Sequence, residues 1–336
     1  MKTPDMLSMF DAFQSRPPVT WIIENFISAG SVNVFYGDAG SKKTWALLDM
    51  AVCVARGADW LNFKTTQSNV FIVDEESGRK RILDRMEHVA RGHSYDETVP
   101  VFCHSLAGYD FGNVFWLAEL TNTINLTNSK FVIIDALADV MPGRDENAVK
   151  DVQPIFLALR KIAESTQAAI VLIHHSNKNG GKNDYRGSTS IKGAIDLLVK
   201  VESESKKSII EFATVKSRDT DPLEFTAEAN FMMNITPKMF WLSVSGSKLG
   251  KKIHLTKADE YVLRYLNVNG ASEKADIIDN ADTCSPTQAQ RAIYRIADPR
   301  FGLIERTNSS GSAGGRGKMA IYDLTDEGRD YLKNNP

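Results

Sequence analysis

The residues best suited to chemistry lie in one short run, Tyr36-Gly37-Asp38-Ala39-Gly40-Ser41-Lys42-Lys43-Thr44. Small residues followed by a lysine and a hydroxyl residue suit a phosphate-binding loop, because backbone N–H groups and the start of a helix can point at phosphate oxygens. In that pattern Gly37 to Thr44 form the cradle, Lys43 meets the terminal phosphates of a nucleotide such as ATP, and Thr44 ligates Mg²⁺. The run departs from GxxxxGK[ST] at Lys42, which stands where the second glycine is expected. An outward-pointing side chain leaves the cradling amide in place. The alternative is an ordinary strand-to-helix turn.

Three more polar groups end apolar runs. Asp135 follows Phe131-Val-Ile-Ile134, where nucleotide-hydrolysing enzymes place the carboxylate that holds the Mg²⁺ water shell. Asp74-Glu75-Glu76 follows Val70-Phe-Ile-Val73 and offers a carboxylate to polarise water. His174-His175 follows Ala169-Ile-Val-Leu-Ile173. Adjacent strand residues point to opposite faces, so the pair reads better as a sensor of the terminal phosphate than as two ligands of one metal. For each group the plainer alternative is a polar residue opening a loop. Cys53, Cys103 and Cys284 form no CxxC pair, and neither Cys103-His104 nor the remaining histidines show a metal-binding spacing.

Holding these groups in register requires a sheet. Apolar runs at 31–36, 69–73, 131–135 and 169–173 alternate with amphipathic stretches, which predicts an α/β fold with a mostly parallel sheet flanked by helices. The unbroken run 131–134 suits a strand buried on both faces. Segments near 196–202, 208–215, 223–232 and 239–244 predict antiparallel strands that finish the sheet. Small, polar and basic residues mark a linker at 246–252, which separates an N-terminal arm (1–16) and nucleotide-binding domain (17–245) from a second domain (253–336). In that domain Thr256, Ser272 and Ser285 are expected to cap helices through Leu266, Ala281 and Ala297, with Pro286 at a first helical position. Strands at 303–306 and 318–323 flank a glycine- and serine-rich loop, and Thr325 caps a last helix. Three helices, a hairpin and a basic tip make a winged helix-turn-helix pattern.

Composition bounds the partners. The 336 residues carry 40 Lys+Arg against 42 Asp+Glu, a net charge of -2, so any basic surface that meets nucleic acid must be local. Three cysteines, no signal-peptide profile at Met1-Lys2-Thr3-Pro4-Asp5 and no bilayer-length apolar run predict a cytoplasmic protein with no membrane partner.

Taken together, these residues resemble the RecA/DnaB branch of P-loop ATPases, and most closely the RepA-like hexameric replicative helicases of plasmids and phages. The resemblance covers about residues 17–245. It includes Pro17-Pro18-Val-Thr-Trp21, the phosphate loop, Ile134-Asp135 through Arg144-Asp145-Glu146-Asn147, and His174-His175-Ser-Asn-Lys178 followed by Arg186-Gly187-Ser188. It implies that Glu76 activates the hydrolytic water, with Glu75 in reserve, that Arg85 packs on the adenine, and that His175 is the sensor. Val215-Lys216-Ser217-Arg218-Asp219 is similar to the Lys-x-Arg element that reaches a neighbouring subunit's site, which makes Lys216 and Arg218 trans-acting in a ring, hexameric in such relatives, or a filament; a solvated strand end is the alternative for these two. Lys178, Lys182 and Arg186 would grip single-stranded DNA in the channel through salt-sensitive phosphate contacts. A plain surface loop is the alternative for that segment.

In the second domain the helix after Ser285 offers Thr287, Gln288, Gln290 and Arg291 to a DNA major groove, while Arg316 and Lys318 on the wing meet duplex backbone or minor groove. Use of this unit for protein contacts is the alternative, and the appendage departs from RepA-like ATPases. The expected function is a Mg²⁺- and ATP-dependent DNA-binding motor ATPase, a replicative helicase or initiator of a mobile element. The second expectation is a nucleotide-switched DNA-binding regulator or helicase loader with little unwinding.

Overall fold

The computed structural model describes residues 6–15, 18–175, 189–204, 207–234, 236–245, 255–297, 303–308 and 320–334. The chain divides into two compact units, Met1–Lys251 and Lys252–Pro336. The expected linker at 246–252 lies outside the described residues.

The first unit opens with a short helix, α1 (Met9–Ala12), closed by a capping box between Ser8 and Asp11. A small hairpin, β1 (Trp21–Ile23) and β2 (Ile27–Ser28), leads into β3 (Val32–Gly37), α2 (Lys43–Arg56), β4 (Asn69–Asp74), α3 (Arg79–Gly92) and β5 (Val101–Ser105). The chain continues through α4 (Val114–Thr127), β6 (Ser129–Asp135), α5 (Val149–Thr166), β7 (Ala169–His175) and α6 (Thr189–Ala194). It ends with β8 (Leu197–Glu202), β9 (Ile209–Ser217), β10 (Glu224–Met232) and β11 (Met239–Val244).

Nine of these strands form one sheet in the order β11-β10-β9-β8-β3-β7-β6-β4-β5. The six from β8 to β5 are parallel, so their carboxyl ends share one edge. One expectation is corrected here: β8 pairs with β3 in parallel, and only β9, β10 and β11 run antiparallel. The chain reaches β8 through α6, a crossover of the kind parallel neighbours need, whereas the later strands follow one another by short returns.

Alternation along each strand divides the apolar residues between two cores. Phe35, Ile72, Ile133 and Val171 pack with α2 and the β1–β2 hairpin on one face. Val34, Val73, Ile134 and Leu172 pack with α4 and α5 on the other. Such strands read as unbroken apolar runs because neither face meets water. Among the described residues, no helix is long and apolar enough to cross a membrane.

The second unit contains α7 (Lys257–Asn269), β12 (Ser272–Glu273), α8 (Lys274–Asp279), α9 (Pro286–Ile296), β13 (Ile304–Asn308), β14 (Ala320–Leu324) and α10 (Asp326–Asn334). Thr256 and Ser285 cap α7 and α9 through capping boxes with Asp259 and Gln288, and Pro286 takes the first turn of α9. Ser272 has a different role from the expected cap. It pairs with Tyr322 across a three-stranded sheet ordered β12-β14-β13, and the helix starts two residues later at Lys274. The open edge of β14 captures the backbone at Ser272 and Glu273 before the helix can begin there.

Candidate active site

The shared edge of the parallel strands brings the chemically able residues into a row. Gly37 lies beside His175 across β3 and β7, Ile134 beside Leu172 across β6 and β7, and Asp74 beside Asp135 across β4 and β6. Adjacent strands are about 4.8 Å apart, so the row from the phosphate loop to Glu76 spans roughly 15 Å. That is the carboxyl edge where open α/β sheets bind ligands.

Within the loop, Asp38, Ala39 and Gly40 form an exposed crest, while Ser41 and Lys43 are buried. Two glycines are required for different reasons. A Cβ on Gly37 would lie 2.0 Å from the Val201 carbonyl oxygen, whereas Gly40 has open space but a left-handed φ of +83°. Lys42 also adopts left-handed backbone, φ 64° and ψ 23°, at the N-cap of α2. Outside glycine this conformation costs about 1–2 kcal/mol. The Lys42 side chain points away from the crest, and its Nζ donates to Ser203 Oγ (2.6 Å), the Glu204 carbonyl (3.2 Å) and the Lys207 carbonyl (3.0 Å). These bonds offset the backbone cost and clamp the loop to the turn between β8 and β9.

Lys43 folds onto its own loop, with Nζ donating to the carbonyls of Gly37 (2.7 Å) and Asp38 (2.9 Å). Burial holds its pKa below the ordinary lysine value, opposed by the charges of Asp135, Glu76 and Asp38. Thr44 Oγ1 donates to Asp135 Oδ2 at 2.8 Å. Burial, reinforced by the neighbouring Glu76 and Asp74 charges, pushes the Asp135 carboxyl up to about 7. Asp135 Oδ1 is buried and has no hydrogen-bond partner among the described residues. A hydroxyl and a carboxylate oxygen in contact, beside a second oxygen that lacks a partner, fit a hard divalent cation such as Mg²⁺.

The three acidic residues after β4 take separate roles. Asp74 is fully buried and accepts from Ser77 N–H (2.9 Å), Gly78 N–H (3.1 Å) and Ser105 Oγ (2.8 Å), which fixes the turn into α3. Glu75 Oε1 accepts the backbone N–H groups of Ala107 (3.1 Å), Gly108 (3.0 Å) and Tyr109 (3.2 Å), so its charge is spent on the loop after β5. Glu76 faces the row, with Oε2 3.3 Å from His175 Nε2. That hydrogen bond holds the Glu76 carboxyl below its ordinary value.

His174, read with His175 as a phosphate sensor, and Glu146, to which the sequence assigns no role, stand behind the row. His174 is buried with Nδ1 3.5 Å from Glu146 Oε2, and burial pushes its pKa down to about 4. Glu146 comes from the loop after β6, and burial raises its pKa. Trp45 is a second unpredicted neighbour. Arg85 donates to Ser77 Oγ at 3.0 Å and lies 5.6 Å from the Trp45 ring centre, next in sequence to Thr44. An aromatic residue directly after the Lys-Thr pair was the available signal.

Lys216 and Arg218 are not brought to this edge. Because β9 runs antiparallel to β8, Ser217 lies opposite Leu197, at the amino end of the parallel strands. Lys216 Nζ donates to the carbonyls of Lys192 and Ile195, the latter at 2.7 Å. Arg218 donates to the Gly193 carbonyl at 2.7 Å and pairs with Asp196 at 3.2 Å. The length of β3 puts them roughly 17 Å from their own phosphate loop. Lys178, Lys182, Arg186, Arg316 and Lys318 lie outside the described residues. In the second unit the Gln288 side-chain oxygen accepts from Ser285 N–H at 2.9 Å and so caps its own helix, while Thr287, Gln290, Arg291 and Tyr294 are exposed on α9.

The family described as AAA domain matches residues 2–181, which span the phosphate loop and the whole row of strand ends. The chain belongs to this AAA domain family. AAA-domain proteins of this type are P-loop ATPases that use ATP, usually with Mg²⁺. No curated protein matches the chain. Among solved structures, the crystal structure of the RadB recombinase is similar at 13% identity and a TM-score of 0.46, covering 61% of this chain and 89% of that one. The AAA domain match ends within the segment that follows β7, so β8 to β11 and the second unit lie beyond it.

Proposed function

We propose that this AAA domain protein is a Mg²⁺- and ATP-dependent, DNA-binding motor ATPase of the RecA/DnaB type, serving as a replicative helicase or replication initiator of a plasmid, phage or other mobile element. The observation that carries the reading is the row Lys43, Thr44, His175, Asp135 and Glu76 along four adjacent strand ends. Lys43 exchanges its loop carbonyls for terminal phosphate oxygens, and Thr44 and Asp135 would hold Mg²⁺. When bound, the ion draws charge from the phosphate oxygens. Glu76, kept ionised by His175, orients the attacking water and accepts its proton. His175 thereby links that base to the phosphate end of the site, and Arg85 with Trp45 provides a cationic and aromatic surface for the base.

Lys216 and Arg218 act on a neighbouring subunit in this reading, because their own phosphate loop is at the opposite end of the sheet. Arg218 serves as the arginine finger, which requires a head-to-tail homo-oligomer, a closed hexameric ring in the form favoured here. Lys178, Lys182 and Arg186 meet single-stranded DNA in the channel. The second unit is read as a winged helix that holds duplex DNA through the exposed face of α9, with Arg291, and through Arg316 and Lys318. Gln288 contributes at most its amide N–H₂, since its oxygen is used as a cap.

A nucleotide-switched regulator or helicase loader is the second reading, and the Lys42 clamp favours it. Phosphate arriving at a loop tied to the β8–β9 turn would move that turn even without turnover. ATP hydrolysis measured with and without single-stranded DNA, together with the mass of the assembly, decides between them. Mg²⁺-dependent turnover stimulated by single-stranded DNA in a ring-sized assembly supports the motor. ATP binding without turnover leaves the switch.

A further inference from the structure

We propose that Asp49, Cys53 and His93 form a second, separate metal site that takes one zinc-type divalent ion. Asp49 and Cys53 stand one turn apart on α2 and share a face, while His93 caps the end of α3. One ligand atom from each lies within 4.8 Å of the other two. His93 Nε2 is 2.7 Å from Asp49 Oδ1 and 3.9 Å from Cys53 Sγ. Tetrahedral zinc with bonds of about 2.0–2.3 Å sets its ligand atoms roughly 3.3–3.8 Å apart. The two His93 distances lie on either side of that range, so closing the site requires His93 to shift away from Asp49 and towards Cys53.

Burial and the neighbouring Asp49 charge hold the Cys53 thiol well above its ordinary pKa, so the thiolate forms only with the ion that neutralises it. Asp49 and Cys53 are each only 1% exposed, whereas the His93 side chain is 20% exposed and leaves an entry route. A carboxylate in this position is costly to keep charged. Its Oδ1 has support from the Leu242 N–H at 2.9 Å and from His93. Binding breaks the Cys53 S–H bond, forms a sulfur–metal bond and releases that proton to solvent, while the proton between Asp49 Oδ1 and His93 Nε2 moves to Nδ1 or to solvent so that Nε2 presents its lone pair. Carboxylate, thiolate and a divalent ion then sum to zero charge in the core. A thiolate and an imidazole select zinc-like ions, whereas the oxygen pair Thr44 and Asp135 selects Mg²⁺, so the two sites do not compete. The fourth coordination position is left to water on the His93 side.

The site would join α2 to the end of α3 and, through Asp49 and the Leu242 N–H, to the edge strand β11. Because α2 begins with Lys43 and Thr44, occupancy stiffens the support of the phosphate loop from behind without touching nucleotide.

The test uses the full chain, stripped with chelator and titrated with Co²⁺ in the presence of excess Mg²⁺. One Co²⁺ per chain is expected, with a sulfur-to-cobalt charge-transfer band and tetrahedral visible bands that Zn²⁺ abolishes by displacement. Cys53→Ala and His93→Gln should lose the charge-transfer and tetrahedral signals respectively, while a Cys103→Ser/Cys284→Ser double variant keeps both. Absence of the charge-transfer band in the wild-type chain, or its survival in Cys53→Ala, overturns the proposal. Should the single variants fold poorly, the wild-type chain suffices: zinc-loaded protein should melt higher than stripped protein, and equal melting with no bound ion sinks the site.

Discussion

The two ends of the parallel strands differ in how their charged groups are satisfied. At the carboxyl end, Lys43 from the start of α2 converges with Asp135, Glu76 and His175 from the ends of three strands, and one buried carboxylate oxygen has no partner among the described residues. At the amino end, Lys216 and Arg218 are bound by the carbonyls that close α6 and by Asp196. A cation at a helix C-terminus is comfortable there. The first end is prepared for ligands the chain does not supply, while the second is quiet until something displaces its own backbone. The contrast argues that any work by Arg218 must be driven by a neighbour's phosphate competing with Gly193 and Asp196.

The largest effects should separate these ends. Glu76→Gln is expected to lower ATP turnover by about 10²–10⁴-fold while nucleotide binding, followed by fluorescence of a labelled nucleotide, stays near wild type. Arg218→Ala should lower turnover by about 10³-fold or more, again with binding retained. Mixed assemblies of Arg218→Ala and Glu76→Gln subunits should recover part of the activity. No recovery, together with a fall in melting temperature, would mean that Arg218 only anchors α6.

A pH effect of intermediate size belongs to the carboxyl end alone. Burial pushes His174 from 6.5 down to about 4, so it is neutral in the fold. Its contribution to stability is therefore fully present above the unfolded value near 6.5 and is lost as pH falls from there toward 4, on the order of 3 kcal/mol in all. The raised Asp135 carboxyl acts with the opposite sign over the same window, so the His174 contribution is read as the difference in denaturant unfolding between the wild-type chain and His174→Gln from neutral to mildly acidic pH. A slope unchanged in His174→Gln would assign the loss to other groups.

The smallest effects concern local backbone. Lys42→Ala keeps the left-handed penalty and removes the clamp, whereas Lys42→Gly removes both. The glycine variant should thus be more stable than the alanine variant by about 1 kcal/mol in equilibrium unfolding. Ser285→Ala should weaken the second unit by about 1 kcal/mol through loss of the α9 cap, measured as a lower melting temperature of that unit.

Much of the sheet was legible because strands buried on both faces leave long apolar runs, as at Phe131–Ile134, and because the start of α2 at Lys43 is written into the phosphate loop itself. Other features depend on partners that sequence does not display. Apart from Asp196, the acceptors of Lys216 and Arg218 are main-chain carbonyls, which every residue carries, so no side-chain pattern announces them. Ser272 looks like a helix cap until the edge of β14 is in place. Asp74, Glu75 and Glu76 are chemically alike in a row, and only the turn at Ser77 and the loop at Ala107–Tyr109 divide their tasks. Asp49 and Cys53 show a helical spacing, but His93 is 40 residues beyond Cys53 and meets them only when α2 and α3 pack.

Helix α2 has consequences for exchange with solvent. Eleven of its fourteen residues are buried, so water reaches its peptide groups from almost no side. Its central amides should exchange with deuterium only when the whole unit opens, so nucleotide held by the folded unit should slow them by as much as it stabilises that unit. Those around Asp38–Ser41 and Ser203 open locally, and their slowing reads contact with nucleotide against that global measure.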